Sequence, residues 1–283
     1  MKPYSIGLYE KAMPEKLSWR EKLECAKECG YDFVEISIDE KDSKLARLEW
    51  SKDERLELVE LMKEIGMPVR SMCLSGHRKY PFGSADPKIR ERSMDIMEKA
   101  VQLADDLGVR IIQLAGYDVY YEESTEESRK LFAENLKKAT LMAAAKGVVM
   151  GFETMETEFM NTTKKAMRYV SLVNSPYLGV YPDAGNLTNA ALTYGTDVLD
   201  DLETGSGHIV ALHLKETVPG KFREIPFLTG HVKFDAIIER AWSMGIRRFV
   251  TEMWDVGNAS WKDDIKFACR SMSEKINKFA YKN

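Results

Sequence analysis

The chain has 283 residues, a formal net charge of −4 from 41 basic and 45 acidic side chains, 44% hydrophobic content and four Cys. That composition excludes intrinsic disorder and a small disulfide scaffold, and the acidic balance lacks the broad positive surface that nucleic acid demands. Apolar runs such as Leu141 to Ala145 and Val148 to Met150 fall far short of the roughly 20 residues a membrane helix needs, so a membrane, like nucleic acid, is not an expected partner.

The opening Met1-Lys2-Pro3-Tyr4-Ser5 lacks the apolar core and cleavage site of a secretory signal. Cys25, Cys29, Cys73 and Cys269 show no zinc-ribbon or redox spacing, so the expectation is a cytoplasmic protein with buried thiols. The first apolar run predicts a strand at 4–9. A charged helical stretch then ends at Cys29-Gly30, and Phe33-Val34-Glu35-Ile36 marks a second strand at 32–38. The same succession of charged helix, Gly and short apolar run recurs at Ile65-Gly66, Leu107-Gly108, Lys146-Gly147 and Met244-Gly245, predicting strands at 68–74, 110–115, 148–154 and 247–253. Glycine suits such a joint because the chain leaves a helix through a left-handed conformation. Two further runs predict strands at 178–183 and 209–214.

Between the strands, apolar residues recur at helical spacing, as in Leu56, Val59, Leu61, Met62 and Ile65, or Met94, Met97, Val101, Leu103 and Leu107. Strict alternation of strand and helix argues for a parallel sheet, and eight units argue for its closure into a (β/α)8 TIM barrel. No Gly-x-Gly-x-x-Gly follows the first strand, as a dinucleotide-binding sheet would require. No linker rich in Pro, Gly or Ser divides the chain, so a single domain over 1–283 is expected.

In such a barrel the chemistry lies at the C-terminal ends of the strands. Glu153 ends the fifth strand, Asp183 the sixth and Glu252 the eighth, while His213 lies on the seventh. Three carboxylates converging in a barrel mouth repel one another unless a cation neutralises them, so one divalent metal ion is the expected cofactor. Three carboxylates and one imidazole admit Zn²⁺, Mn²⁺, Co²⁺ or Mg²⁺ alike; Zn²⁺ is the leading expectation, though the donor set does not select it.

After the third strand, Ser75-Gly76-His77-Arg78-Lys79 sets a His and two cations on the catalytic face, where an anionic substrate group could be held. A second cationic loop, Lys215 to Arg223, contains Lys221 and is followed by Leu228-Thr229-Gly230-His231-Val232, whose backbone amides near a helix start would suit phosphate oxygens. Glu35, Glu40 and Arg47 are further mouth candidates, Tyr181 and Trp254 could wall a sugar, and His208 is expected at the opposite face.

The stretches Phe33-Val34-Glu35-Ile36-Ser37-Ile38-Asp39-Glu40, Tyr181-Pro182-Asp183-Ala184-Gly185-Asn186-Leu187, Gly207 to Glu216 and Thr251-Glu252-Met253-Trp254 carry a resemblance over nearly the whole chain. The chain resembles the xylose-isomerase-like barrels and, within them, the L-ribulose/L-xylulose 5-phosphate 3-epimerases, also labelled hexulose-6-phosphate isomerase-like. The resemblance implies that Glu153, Asp183, His213 and Glu252 bind one divalent metal and that Glu153 and Glu252 double as the acid/base pair. It also implies a small phosphorylated ketose as substrate, a pentulose 5-phosphate from routes such as L-ascorbate use. His77, Arg78, Glu35, Asn186, Lys215 and Lys221 are the substrate-binding candidates. Related unphosphorylated ketose 3-epimerases carry a His where this chain has Asn186, a departure that favours the phosphorylated branch.

The expected reaction removes the C3 proton with one carboxylate, passes through an enediolate and returns a proton from the other face with the second. An aldose–ketose isomerase on the same barrel and a non-catalytic sugar-phosphate-binding barrel are the rival readings. A homodimer through barrel helices or loops is compatible with the sequence.

Overall fold

In the computed structural model, which describes residues 2–281, eight strands alternate with helices around one closed sheet. The strands are β1 Ser5–Tyr9, β2 Phe33–Ile38, β3 Val69–Leu74, β4 Ile111–Ala115, β5 Val149–Glu153, β6 Leu178–Val180, β7 Leu212–Leu214 and β8 Arg248–Thr251. The α-helices are α1 Trp19–Glu28, α2 Asp42–Leu45, α3 Lys52–Ile65, α4 Pro87–Leu107, α5 Glu126–Ala145, α6 Thr163–Val173, α7 Ala184–Tyr194, α8 Val198–Glu203, α9 Phe234–Ser243 and α10 Trp261–Ala280. Met1 and the last two residues of the expected 1–283 unit lie outside the described residues.

Local chemistry sets the boundaries. Ser18 with Glu21 and Ser51 with Glu54 form capping boxes that satisfy the first amides of α1 and α3, while Asp86 followed by Pro87 starts α4. At the other end, Gly66 and Gly108 take φ of 73° as the C-caps of α3 and α4, the left-handed exit that the glycine joints predicted.

All strand pairs are parallel, in the order β6-β5-β4-β3-β2-β1-β8-β7, and single bridges between Val180 and Ile209 and between Asp183 and His213 close the ring. The strands expected at 178–183 and 209–214 shorten here to three residues each. Pro182 has no N–H to donate, so only its carbonyl joins the pairing, accepting from the His213 amide at 2.9 Å.

The two faces of the strands separate cleanly. Ile6, Leu8, Val34, Ile36, Met72, Leu74, Ile112, Phe152, Leu212 and Phe249 belong to the main core shared with the helices. A second, smaller cluster made by Tyr9, Phe33, Cys73, Ile111, Tyr181, Ala211 and Val250 fills the barrel interior. Gly7 makes room for this filling, because a Cβ there would lie 2.4 Å from the Phe33 ring. The interior is thus a packed plug, and any chemistry is pushed to the rim. No helix among the described residues is long and apolar enough to cross a membrane.

Candidate active site

Four side chains meet at the C-terminal rim. Glu153 is the last residue of β5, Asp183 the N-cap of α7, His213 the middle residue of β7, and Glu252 follows β8 directly. All four are buried, and one ligand atom from each lies within 4.8 Å of the others. The His213 Nδ1 edge faces the cluster, 3.1 Å from Glu252 Oε2 and 3.7 Å from Glu153 Oε1. The Glu252 amide donates to the Leu214 carbonyl at 2.9 Å, so the ladder continues one residue past β8 and fixes where this carboxylate enters.

Around the cluster stand groups that hold it in place. The Gln113 amide donates to Glu153, and the Asn186 backbone N–H donates to Asp183 Oδ1 at 2.6 Å as part of the α7 cap. Lys215 is buried with its ammonium 3.2 Å from Asp183 and 3.3 Å from Glu252. On the far edge of the imidazole, His213 Nε2 lies 2.7 Å from Glu35 Oε1.

Crowded, buried charge shifts each group in a traceable direction. Burial, then the neighbouring Glu252, raises the proton affinity of Glu153, and burial drives Asp183 well up despite Lys215 beside it. Burial would also raise Glu252, but Lys215 and His213 outweigh it and hold the carboxyl well below the usual range. Burial disfavours the His213 cation, yet Glu35 foremost and then Tyr181 and Glu252 hold that imidazole well above its ordinary value.

A divalent cation fits these residues. The donor set is one imidazole nitrogen and three carboxylates, and Asp183 Oδ2 is a buried acceptor with no hydrogen-bond partner. A buried carboxyl oxygen left without a partner is costly in a protein interior, and a cation bound in the cluster would both satisfy it and favour the ionised carboxylate.

Residues 23–272 match a family model described as xylose isomerase-like TIM barrel. The chain belongs to the xylose isomerase-like TIM barrel family. The putative L-ribulose-5-phosphate 3-epimerase SgbU of Escherichia coli (strain K12) is 47% identical over 261 residues, covering 90% of this chain and 90% of that protein. L-ribulose-5-phosphate 3-epimerase UlaE of Salmonella paratyphi A is 45% identical over 254 residues, covering 89% of this chain and 88% of that one. The crystal structure of D-allulose 3-epimerase from Methylomonas sp. in complex with D-allulose superposes with a TM-score of 0.78 over 97% of this chain and 98% of that chain; at 18% identity the likeness concerns the fold alone.

In this xylose isomerase-like barrel the remaining candidates separate into two groups. Arg78, Asn186 and Lys215 line a cavity of about 40 Å³ over Glu153 and Glu252, together with Tyr9, Glu156 and Arg223. A neighbouring cavity of about 380 Å³ lies between the loops after β7 and β8 and also borders Lys215, Glu252 and Trp254. The Arg78 guanidinium sits 4.8 Å from the centre of the Tyr120 ring, with Tyr117 on its other contact at 5.6 Å. Asn186 donates its amide to the Thr154 carbonyl at 2.6 Å and keeps its own Oδ1 unpartnered.

His77, Glu35 and Lys221 are not brought to that cavity. The His77 ring is buried against Phe82, with centroids 4.3 Å apart, and its Nε2 lies 3.1 Å from the Ser93 carbonyl of α4. It follows β3 in sequence but turns outward, because the short helical turn at Gly76–Arg78 points consecutive side chains in different directions. Glu35 lies below the rim with no exposure, beneath His213. Lys221 is exposed at the tip of a turn where its backbone pairs with Val218. Four of the five loop amides expected to suit phosphate are already used: Leu228 and Val232 donate to the Glu216 carboxylate at 3.0 and 3.1 Å, Thr229 to the Pro226 carbonyl and His231 to the Thr217 carbonyl. Arg47 pairs with buried Glu10, Glu40 accepts from the Tyr121 hydroxyl, and His208 is exposed ahead of β7.

Sequence reasoning did not single out Gln113, Glu156 or Arg223 as individual site residues. Glu156 accepts from the Tyr117 hydroxyl at 2.8 Å and lies 3.5 Å from Arg223. Its position three residues after Glu153, in the loop leaving β5, was the signal available for it.

Proposed function

We propose that this protein is a divalent-metal-dependent 3-epimerase that interconverts L-ribulose 5-phosphate and L-xylulose 5-phosphate. The observation that carries the reading is the buried Glu153, Asp183, His213 and Glu252 cluster with its unpartnered Asp183 oxygen, in a barrel whose 45–47% identical relatives are named L-ribulose-5-phosphate 3-epimerases. Inversion at C3 of a ketose needs a proton removed from a carbon made acidic by the adjacent C2 carbonyl, and a proton returned to the opposite side. A bound divalent cation, Zn²⁺ in this reading, supplies Lewis-acid stabilisation of the negative charge that develops on the C2 oxygen.

The protein's own groups perform the rest. Glu153 and Glu252 enter the centre from β5 and β8, which are not neighbours in the sheet, and serve as the acid/base pair. Each proton transfer to a positioned carboxylate contributes roughly 10²–10⁴ in rate. Lys215 donates toward a developing anionic oxygen, and the free Asn186 Oδ1 accepts from a sugar hydroxyl. Arg78 and Arg223 are the guanidinium groups on the cavity wall that can pair with the 5-phosphate, each presenting a fork of donors.

The test is proton NMR of Zn²⁺-loaded protein with L-ribulose 5-phosphate in D₂O, beside a chelator-treated sample and Glu252→Gln. Deuterium should enter at C3 together with formation of the epimer, disappear on chelation and fall by at least 10²-fold in the variant. Exchange at C1 with an aldose product would move the assignment to an isomerase, and no exchange with any divalent metal would overturn catalysis on this substrate.

A further inference from the structure

Glu35 is a fully buried carboxylate on β2, and among the described residues its only ion-pair partner is His213. Three donors converge on it. Ser71 Oγ and the Tyr181 hydroxyl reach Oε2 at 2.7 and 2.9 Å, and His213 Nε2 meets Oε1 at 2.7 Å. The backbone is arranged for this contact. The β2–β3 register shifts between Val34 and Glu35, so that Val34 faces Val69 but Glu35 faces Ser71, and Arg70 is left outside the ladder and exposed. Such irregularities re-aim side chains beside functional sites.

The two edges of the imidazole therefore face different worlds. Nδ1 looks into the Glu153 and Glu252 cluster, whereas Nε2 looks down the barrel into the Glu35 carboxylate. Tyr181 packs edge-on against the same ring, with centroids 4.7 Å apart at 64°, while its hydroxyl holds Glu35. Both ring nitrogens face carboxylates, Nδ1 at 3.1 Å from Glu252 Oε2 and Nε2 at 2.7 Å from Glu35 Oε1. A cation bound in the cluster would need the Nδ1 lone pair, and the Glu35 carboxylate, which can only accept, then keeps the ring hydrogen on Nε2.

We propose that Glu35 is a positioning residue for the metal centre: it fixes His213 with hydrogen on Nε2 and so presents Nδ1 as the metal ligand. The proposal rests on the metal-dependent reading of the Glu153, Asp183, His213 and Glu252 site. It replaces a substrate contact for Glu35, which lies on the side of His213 away from the cavity.

The test compares wild type and Glu35→Gln by titration with Zn²⁺ and Co²⁺ against a competing chelator. Glutamine is isosteric, but its oxygen is claimed by Ser71 and Tyr181, so its NH₂ faces Nε2 and drives the hydrogen to Nδ1, where it opposes coordination. Metal affinity should fall about 10–100-fold, with the circular dichroism of the metal-free protein unchanged. At saturating metal, KM should stay near the wild-type value, whereas a substrate contact would raise it. A second measurement needs no variant: ¹⁵N NMR of the Zn²⁺-loaded wild type should show His213 with hydrogen on Nε2 and metal on Nδ1. Equal affinities, or coordination through Nε2, would overturn the role of Glu35 while leaving the metal site standing. A wild-type protein that takes up neither cation would overturn the site and, with it, this proposal.

Discussion

His77 and Arg78 are adjacent, and only one of them reaches the cavity. The imidazole is packed between Phe82 and α4, and burial pushes its pKa down from 6.5 to about 4. Because the folded state disfavours the cation, the unfolded chain binds the proton first as pH falls. The stability tied to neutral His77 is therefore complete above about pH 6.5 and is lost as pH drops through 4. Between pH 7 and 4.5 this group should account for about 2–3 kcal/mol of lost stability. His77→Phe keeps an aromatic ring there, so urea unfolding of the variant should show a pH decline smaller by that amount; parallel declines would remove His77 as the cause. In the sequence the pair reads as one cationic loop, since residue type alone does not say which way a helical turn aims each side chain.

At the scale of an element, the loop between β7 and α9 illustrates how a segment that resembles an anion site can be an internal brace. Glu216 is buried and accepts three backbone amides, from Thr217, Leu228 and Val232. Leu228 adopts φ of 66°, a left-handed conformation that costs a residue with a Cβ about 1–2 kcal/mol, and its amide bond to Glu216 offsets that strain. Gly230 has to be glycine here, because a Cβ would come within 2.0 Å of the Thr217 carbonyl. Glu216→Ala leaves these amides without their acceptor, so the variant should be less stable by about 3 kcal/mol and should be cut by a protease between residues 217 and 232 faster than wild type. Unchanged stability and cleavage would show that the loop holds its shape without the carboxylate. The strands and helices themselves were largely legible: periodicity and the glycine joints located all eight strands, and the misplaced ends at β6 and β7 trace to Pro182 and to pairing by single bridges.

For the whole molecule, the cluster ties β5, β7, β8 and the start of α7 into one centre, so a cation held there binds the folded chain and not the unfolded one. Zn²⁺ at about 100 times its dissociation constant should stabilise the protein by about 2.7 kcal/mol, or roughly 5 °C in Tm for a chain of this size. Calorimetry of chelator-treated protein with and without Zn²⁺ checks it, and coincident melting curves would argue against the site.

The barrel and its four rim residues were readable from the chain because both follow from local order: hydrophobic period specifies strand and helix, and a polar residue ending an apolar run falls at the rim once the sheet is parallel. Glu35 marks the limit of that reading. Strand alternation places it inward but not at which depth, and only the register shift at Ser71 and the approach of His213 and Tyr181 set it beneath the imidazole. The same holds for Arg223 and Glu156, and for the use of the Glu216 carboxylate. These pairings join segments far apart in sequence, and a hydrogen bond or ion pair between such segments depends on distances of a few tenths of an ångström that closure of the barrel alone decides.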